Sequence, residues 1–195
     1  YKDVSLSIDV MHVNQVPILI SISKNIHYGT CHALSSMKIP TMETEILDII
    51  KTYSARGFRI VCIHADIQFK ALKDRNNLPE IKVNICGRGE HIPEIKRFIR
   101  VIKERARCYF AMLPFRTIPQ IMVIHLIKTV MFYINAFVWR RGISQILSPG
   151  TILEGQTLDY NVHFPVMFGE HAHVYDGTDN TMKARTTGAI ALGPS

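Results

Sequence analysis

Nine residues, FRIVCIHAD (58–66), constrain this chain more than any other stretch, because apolar side chains fall on both faces over 60–63. That pattern belongs to a strand covered on each side, not one half open to water. Just upstream, Met42, Ile46, Ile49, Ile50 and Tyr53 recur at helical spacing, between Thr41 as a candidate N-cap and Gly57 as a stop. Glu43 and Glu45 suit the first turn, where the helix dipole favours negative charge. A helix that runs straight into a doubly covered strand is a crossover into the middle of a sheet.

The N-terminal segment supplies the neighbouring strands. In VSLSIDV (4–10), Val4, Leu6, Ile8 and Val10 alternate with Ser5, Ser7 and Asp9, the period of a half-buried strand. Residues 14–17 mark a turn, VPILISIS (16–23) is a second apolar run and HYGTCHAL (27–34) a weaker third, completing an antiparallel meander before Pro40. Past the central strand, 70–77 is charged and turn-rich, and KVNIC (82–86) predicts a short fifth strand before a loop at 87–89. Two helices follow: a basic one over PEIKRFIRVIKERAR (93–107), and one opened by Thr117 and Pro119. The second is apolar nearly all round, so it is expected to lie sandwiched in the domain.

After residues 148–150 the texture changes to short β-prone pieces, EGQTLDY (154–160), HFPVMFGEHAHVY (163–175) and TTGAIALG (186–193). The expected fold class is α/β: a five-stranded mixed sheet flanked by helices over residues 1–147, with a small β-rich C-terminal extension over 148–195. At 195 residues there is room for one main core. Hydrophobic residues at 47% and charged residues at 20% leave enough apolar surface to offset the entropy lost on ordering.

Cys31, Cys62, Cys86 and Cys108 form no CxxC pair and no short Cys/His spacing, which argues against structural zinc. Free thiols in strands such as those of Cys62 and Cys86 behave as small hydrophobes. They suit a reducing, intracellular compartment, the nucleus or cytoplasm. No N-terminal signal pattern is visible, and an opening at Tyr1 inside a strand-like segment suggests an excised piece. The most apolar stretch, 121–137, is broken by His125, Lys128, Thr129 and Asn135 and falls short of the roughly 20 residues that span a bilayer. No membrane partner is expected.

Asp9 closes the first strand-like run and Asp66 the central one, and two carboxylates at two strand ends are how a divalent-metal site starts. A lone Asp at a strand end more often caps a turn. On the basic helix, Lys96, Arg100, Lys103 and Arg107 fall at i, i+4, i+7 and i+11, one narrow face beside Arg97, while Ile95, Ile99, Ile102 and Ala106 form the core side. Such a stripe can hold a DNA backbone without reading sequence, and the formal net charge of +7 supports an acidic partner. A merely solvated helix face is the plain alternative. Trp139, Phe132 and Tyr133 suit the core better than a base-stacking platform, and His163, His171 and His173 suit a strand surface better than zinc.

The βββαβ order, with an Asp in the first strand and another ending the fourth, resembles the ribonuclease H-like fold. HADIQF (64–69) looks like the integrase pattern S-D-N-G-x-E-F with its glycine lost, and EIKRFIRVIKER (94–105) looks like x-A-E-R-x-N-R-T-L-x-E-K. LSPGTILEGQTLDYNVHFPVMFGEHAHVY, followed by TTGAIALGP, is similar to the T-P-Y-E-x-x-x-G-x-x-P-x-x-x-x-L-R-x-F-G-C-x-A-Y-V and G-I-F-L-G-Y segments of integrases encoded by Ty1/copia-type retrotransposons. The three pieces occur in the right order and cover nearly the whole chain.

This resemblance implies a DDE-type integrase core, homo-oligomeric and acting on DNA, that trims and joins DNA ends by transesterification. Asp9 and Asp66 would be its catalytic metal ligands. Two ions about 3.5–4 Å apart can activate the attacking oxygen and stabilise the leaving one, and hard carboxylate oxygens suit Mg²⁺ or Mn²⁺. His64 and His91 suit such ions less well.

The third carboxylate is where the chain departs from the pattern. Aligning Arg97 and Arg100 with the two arginines of E-R-x-N-R puts Lys96 at the catalytic acid's position. An ammonium can occupy part of a cation's space but cannot ligate it. Glu94 is the acid best placed to act as third catalytic residue, although at about 100° per residue it lies roughly 200° around the helix from Lys96 and faces the cleft only if the helix starts late near Pro93. Glu90 and Glu104 are more distant alternatives. Two expectations result: an integrase core performing 3′-end processing and strand transfer, or an inactive copy that binds nucleic acid or pairs with itself.

Overall fold

The computed structural model describes residues 2–73, 81–87, 92–140, 142–163, 166–177 and 181–193. Strands β1 (Asp3–Val13) and β2 (Val16–Ser23) form an antiparallel hairpin. Its two-residue turn, Asn14 and Gln15, has φ of 46° and 66°, the left-handed geometry that tight hairpin turns require. Pro17 therefore lies inside β2, opposite His12, and not in the turn.

Strand β3 (Gly29–Ala33) pairs antiparallel with β2, and helix α1 (Ile39–Ser54) carries the chain across the sheet. Strands β4 (Arg59–Ala65) and β5 (Lys82–Ile85) then run parallel to β1 and to each other, giving the order β3-β2-β1-β4-β5. This is the expected five-stranded mixed sheet with a central crossover strand. Thr41 is not the N-cap of α1. The helix starts earlier, after Lys38, because Pro40 needs no hydrogen-bond partner in the first turn; Thr41 Oγ1 instead bonds Ser36 Oγ at 2.8 Å.

The period-2 alternation of β1 sorts its side chains onto two faces. Val4, Leu6 and Ile8 join Ile46, Ile49, Tyr53 and Ile63 in one core, against α1. Met11 joins the other core with Ile18, Ile20 and Ile22 of β2, Phe98 and Ile102 of α3 (Pro93–Met112), and Leu126, Val130 and Ile134 of α4 (Gln120–Ala136). Each such buried side chain stabilises the fold by about 1.5–3 kcal/mol. Ser7 and Asp9 share the register of Met11, so they face α3. The sandwiched position expected for α4 holds, although Ile121 and Lys128 stay exposed.

A 3-10 turn (Ile67–Phe69) and the short helix α2 (Lys70–Lys73) follow β4. The remainder of the turn-rich stretch, 74–77, and positions 88–89 of the Gly-containing loop lie outside the described residues, as do Glu90 and His91. The β-prone reading of 154–160 does not hold. Ser148 caps a helix, α5 (Pro149–Glu154), by accepting from Thr151 N at 3.1 Å, Gly155 ends it at φ 72°, and another helical turn, α6 (Tyr160–His163), comes next. Ser-Pro at the start and Gly at the end outweigh the local β propensity. Among the described residues of this part, only β6 (His171–Tyr175) and β7 (Thr186–Ile190) are strands, paired as an antiparallel hairpin. Among the described residues, no helix is long and apolar enough to cross a membrane.

Candidate functional site

Parallel pairing of β1 with β4 ends at Ile8 opposite Ala65. Asp9 and Asp66 are each one residue further on, so two carboxylates remote in sequence emerge side by side at one end of the sheet. Because β1 continues beyond the last β4 partner, Asp9 keeps an open flank there. Its side chain is nevertheless buried, since α3 covers that face; Asp66 is half-buried.

Helix α3 delivers Lys96 into the gap. Its Nζ lies 2.7 Å from Asp9 Oδ2 and 3.9 Å from Asp66 Oδ2. The remaining oxygens are held from below. Asp9 Oδ1 accepts from Val10 N at 2.8 Å and from Gln68 Nε2 at 3.2 Å, while Asp66 Oδ1 accepts from Ile67 N at 2.7 Å and so caps the 3-10 turn. The 2.7 Å contact is an ion pair by distance but lacks the angles of a hydrogen bond, which leaves buried Asp9 Oδ2 without a hydrogen-bond donor among the described residues. Charge neutralisation, more than directional bonding, is what Lys96 supplies.

An orphaned, buried carboxylate oxygen suits a cation, and here the cation is the ammonium. Glu94 does not sit beside it as a ligand. Its Oε2 accepts from Ser7 Oγ, on the same face of β1, at 3.4 Å. Glu94 lies in the first turn after Pro93, and helical side chains tilt toward the helix N-terminus, which lets it fold back onto β1 despite the roughly 200° that separate it from Lys96 around the helix. Glu104 is paired with Arg100 at 2.8 Å, and His64 contacts Cys62 Sγ at 3.5 Å. No group of three His, Cys, Asp or Glu among the described residues is arranged to hold a metal. With Lys96 between the two aspartates, the donor set does not fit a divalent ion.

The basic stripe divides into separate environments. Lys96 serves the acidic pair, Arg100 is tied to Glu104, Arg97 is exposed, and Lys103 and Arg107 border a cavity further along α3. Trp139 stacks on His27 with ring centroids 4.8 Å apart and packs against the core, as expected of a structural aromatic. Gln68 escaped the sequence reading. Its position just before Phe69, where the integrase pattern has the acid of E-F, was the available signal.

No family model matches the chain, and no curated protein does. Among solved structures, the chain is similar to the catalytic core domain of BIV integrase, with a TM-score of 0.55 at 16% identity, over 77% of this chain and 93% of that one. The likeness shows the fold, a ribonuclease H-like five-stranded mixed sheet flanked by helices.

Proposed function

We propose that this chain is the core of a Ty1/copia-type integrase (1–147, with its extension over 148–195) that binds DNA but has lost metal-dependent phosphoryl transfer, because Lys96 closes the acidic pair. The observation that carries this reading is the single ammonium at 2.7 Å from Asp9 and 3.9 Å from Asp66. Mg²⁺ or Mn²⁺ chemistry needs carboxylate oxygens free to coordinate. An ammonium only donates, and its charge opposes the approach of a second cation.

Exposed Arg97 and the cations at Lys103 and Arg107, on a chain of net charge +7, support contact with a DNA backbone. Self-association is part of the proposal, since exposed Phe137, Val138, Ile143, Ile146 and Leu147 form a run of apolar surface after α4 that a second copy would cover. Four free cysteines suit the nucleus or cytoplasm.

The active-integrase reading keeps one supporting observation, the convergence of Asp9 and Asp66 with Glu94 close by on the same face. An assay of Mg²⁺- or Mn²⁺-dependent nicking and strand transfer separates the two. Expected are DNA binding without cutting by the natural chain and activity gained by Lys96→Glu. Cutting by the natural chain that Asp9→Asn abolishes would establish the active reading instead, and cutting that Asp9→Asn leaves untouched would remove the site assignment altogether.

A further inference from the structure

Between the β1–β2 turn, the second half of α3 and the start of α4 lies a cavity of about 520 Å³. Its floor is apolar: Phe110, Ile118 and Leu126. Its border carries Lys103, Arg107 and Arg116. None of these three cations has a hydrogen bond or ion pair with another described residue. That distinguishes them from Lys96 and Arg100 on the same helix, whose charges are already matched. Three unmatched cations around one apolar recess repel each other, and an anionic occupant would relieve that repulsion.

The volume falls in the range of small-ligand sites, and the mixture of aromatic floor and guanidinium border suits a planar apolar body with phosphates attached. A paired, stacked base cannot enter such a recess, whereas an unpaired one exposes its face to it. At 1.5 Å per residue, Lys103 lies about 10 Å along α3 from Lys96, so a strand that follows the helix passes both places. We infer that this cavity receives one unpaired nucleotide of a DNA strand, its base against Phe110, Ile118 and Leu126 and its flanking phosphates on Lys103, Arg107 and Arg116. The inference rests on the DNA-binding reading above and adds to it a preference for frayed or overhanging ends.

Fluorescence anisotropy with blunt duplexes and with duplexes bearing a short single-stranded overhang tests it. The overhang should bind roughly tenfold more tightly at equal salt. The variant Arg116→Glu, at an exposed position of the cavity border away from the stripe on α3, should lose most of that excess and lower the salt slope of overhang binding by about 1, while blunt-duplex binding persists. Phe110→Ala should reduce the excess without changing the salt slope. Equal binding of the two DNAs, or an excess that survives Arg116→Glu, overturns the cavity assignment and leaves the function standing. Absence of binding to both DNAs overturns the function, and this inference with it.

Discussion

Lys96 Nζ and Asp9 Oδ2 are 2.7 Å apart, yet the lysine side chain is 44% exposed and the aspartate side chain only 4%. The buried partner therefore depends on the accessible one. Lys96→Met would leave a carboxylate charged and unmatched in the interior, at a cost of about 1–3 kcal/mol after allowing for the solvent that reaches the lysine. Urea unfolding at neutral pH measures this, and a variant as stable as the natural chain would show the pair to be energetically idle.

Replacing the same residue by an acid should turn the sign of the site. Lys96→Glu gathers three carboxylates, which repel until a divalent ion joins them, so its melting temperature should rise with added Mg²⁺. The natural chain should show no such rise. Equal responses in a thermal melt would mean that Lys96 does not exclude the ion.

Asn135 is a second place where one side chain holds distant elements. Its Oδ1 accepts from Gly29 N at 2.9 Å and its Nδ2 donates to Gly29 O at 2.8 Å, tying the start of β3 to α4. Asn135→Ala strands two backbone groups and should cost about 2–4 kcal/mol. Gly29→Ala should also destabilise, because an added Cβ would come within 2.5 Å of Phe98 Cζ and Met131 Sδ. Denaturant midpoints check both.

The thiols should differ in reactivity. Burial pushes the Cys31 thiol up to about 12, whereas Cys108 is exposed. At pH 8 iodoacetamide should modify Cys108 well before Cys31, because the thiolate is the nucleophile. Peptide mass spectrometry reads the order, and early labelling of Cys31 in the folded chain would contradict its buried setting.

Asp3 and Arg59 join β1 to β4 near the start of both strands through hydrogen bonds of 3.0 and 3.1 Å. The hydrogen bond from Arg59 holds the Asp3 carboxyl below its ordinary range. A carboxyl depressed in the folded state contributes stability that is present above the unfolded value of about 3.9 and disappears as pH falls through the folded value. The stability difference between the natural chain and Asp3→Asn should therefore be visible near neutrality and vanish in acid. A difference that grows toward acid would reverse the assignment.

Much of this was written in local pattern. The alternation in 4–10, the helical stripe from Met42 to Tyr53 and the doubly apolar run before Asp66 each report a period, and period is a property of neighbours in sequence. The two aspartates were legible for the same reason, since each closes such a run. Boundaries set by Pro and Gly chemistry, at Pro40 and at Pro149 to Gly155, were read less well because composition and capping pointed to different structures.

Sequence by itself determined the sheet, its crossover and which acids stand at the ends of its strands. Tertiary structure alone decided what those acids meet. Whether Lys96 turned to solvent or to Asp9, whether Glu94 folded back to Ser7 and whether Gln68 reached Asp9 depended on how α3 and the 3-10 turn pack on β1 and β4. Those contacts join residues far apart in the chain, and no period along the sequence encodes a distance between them.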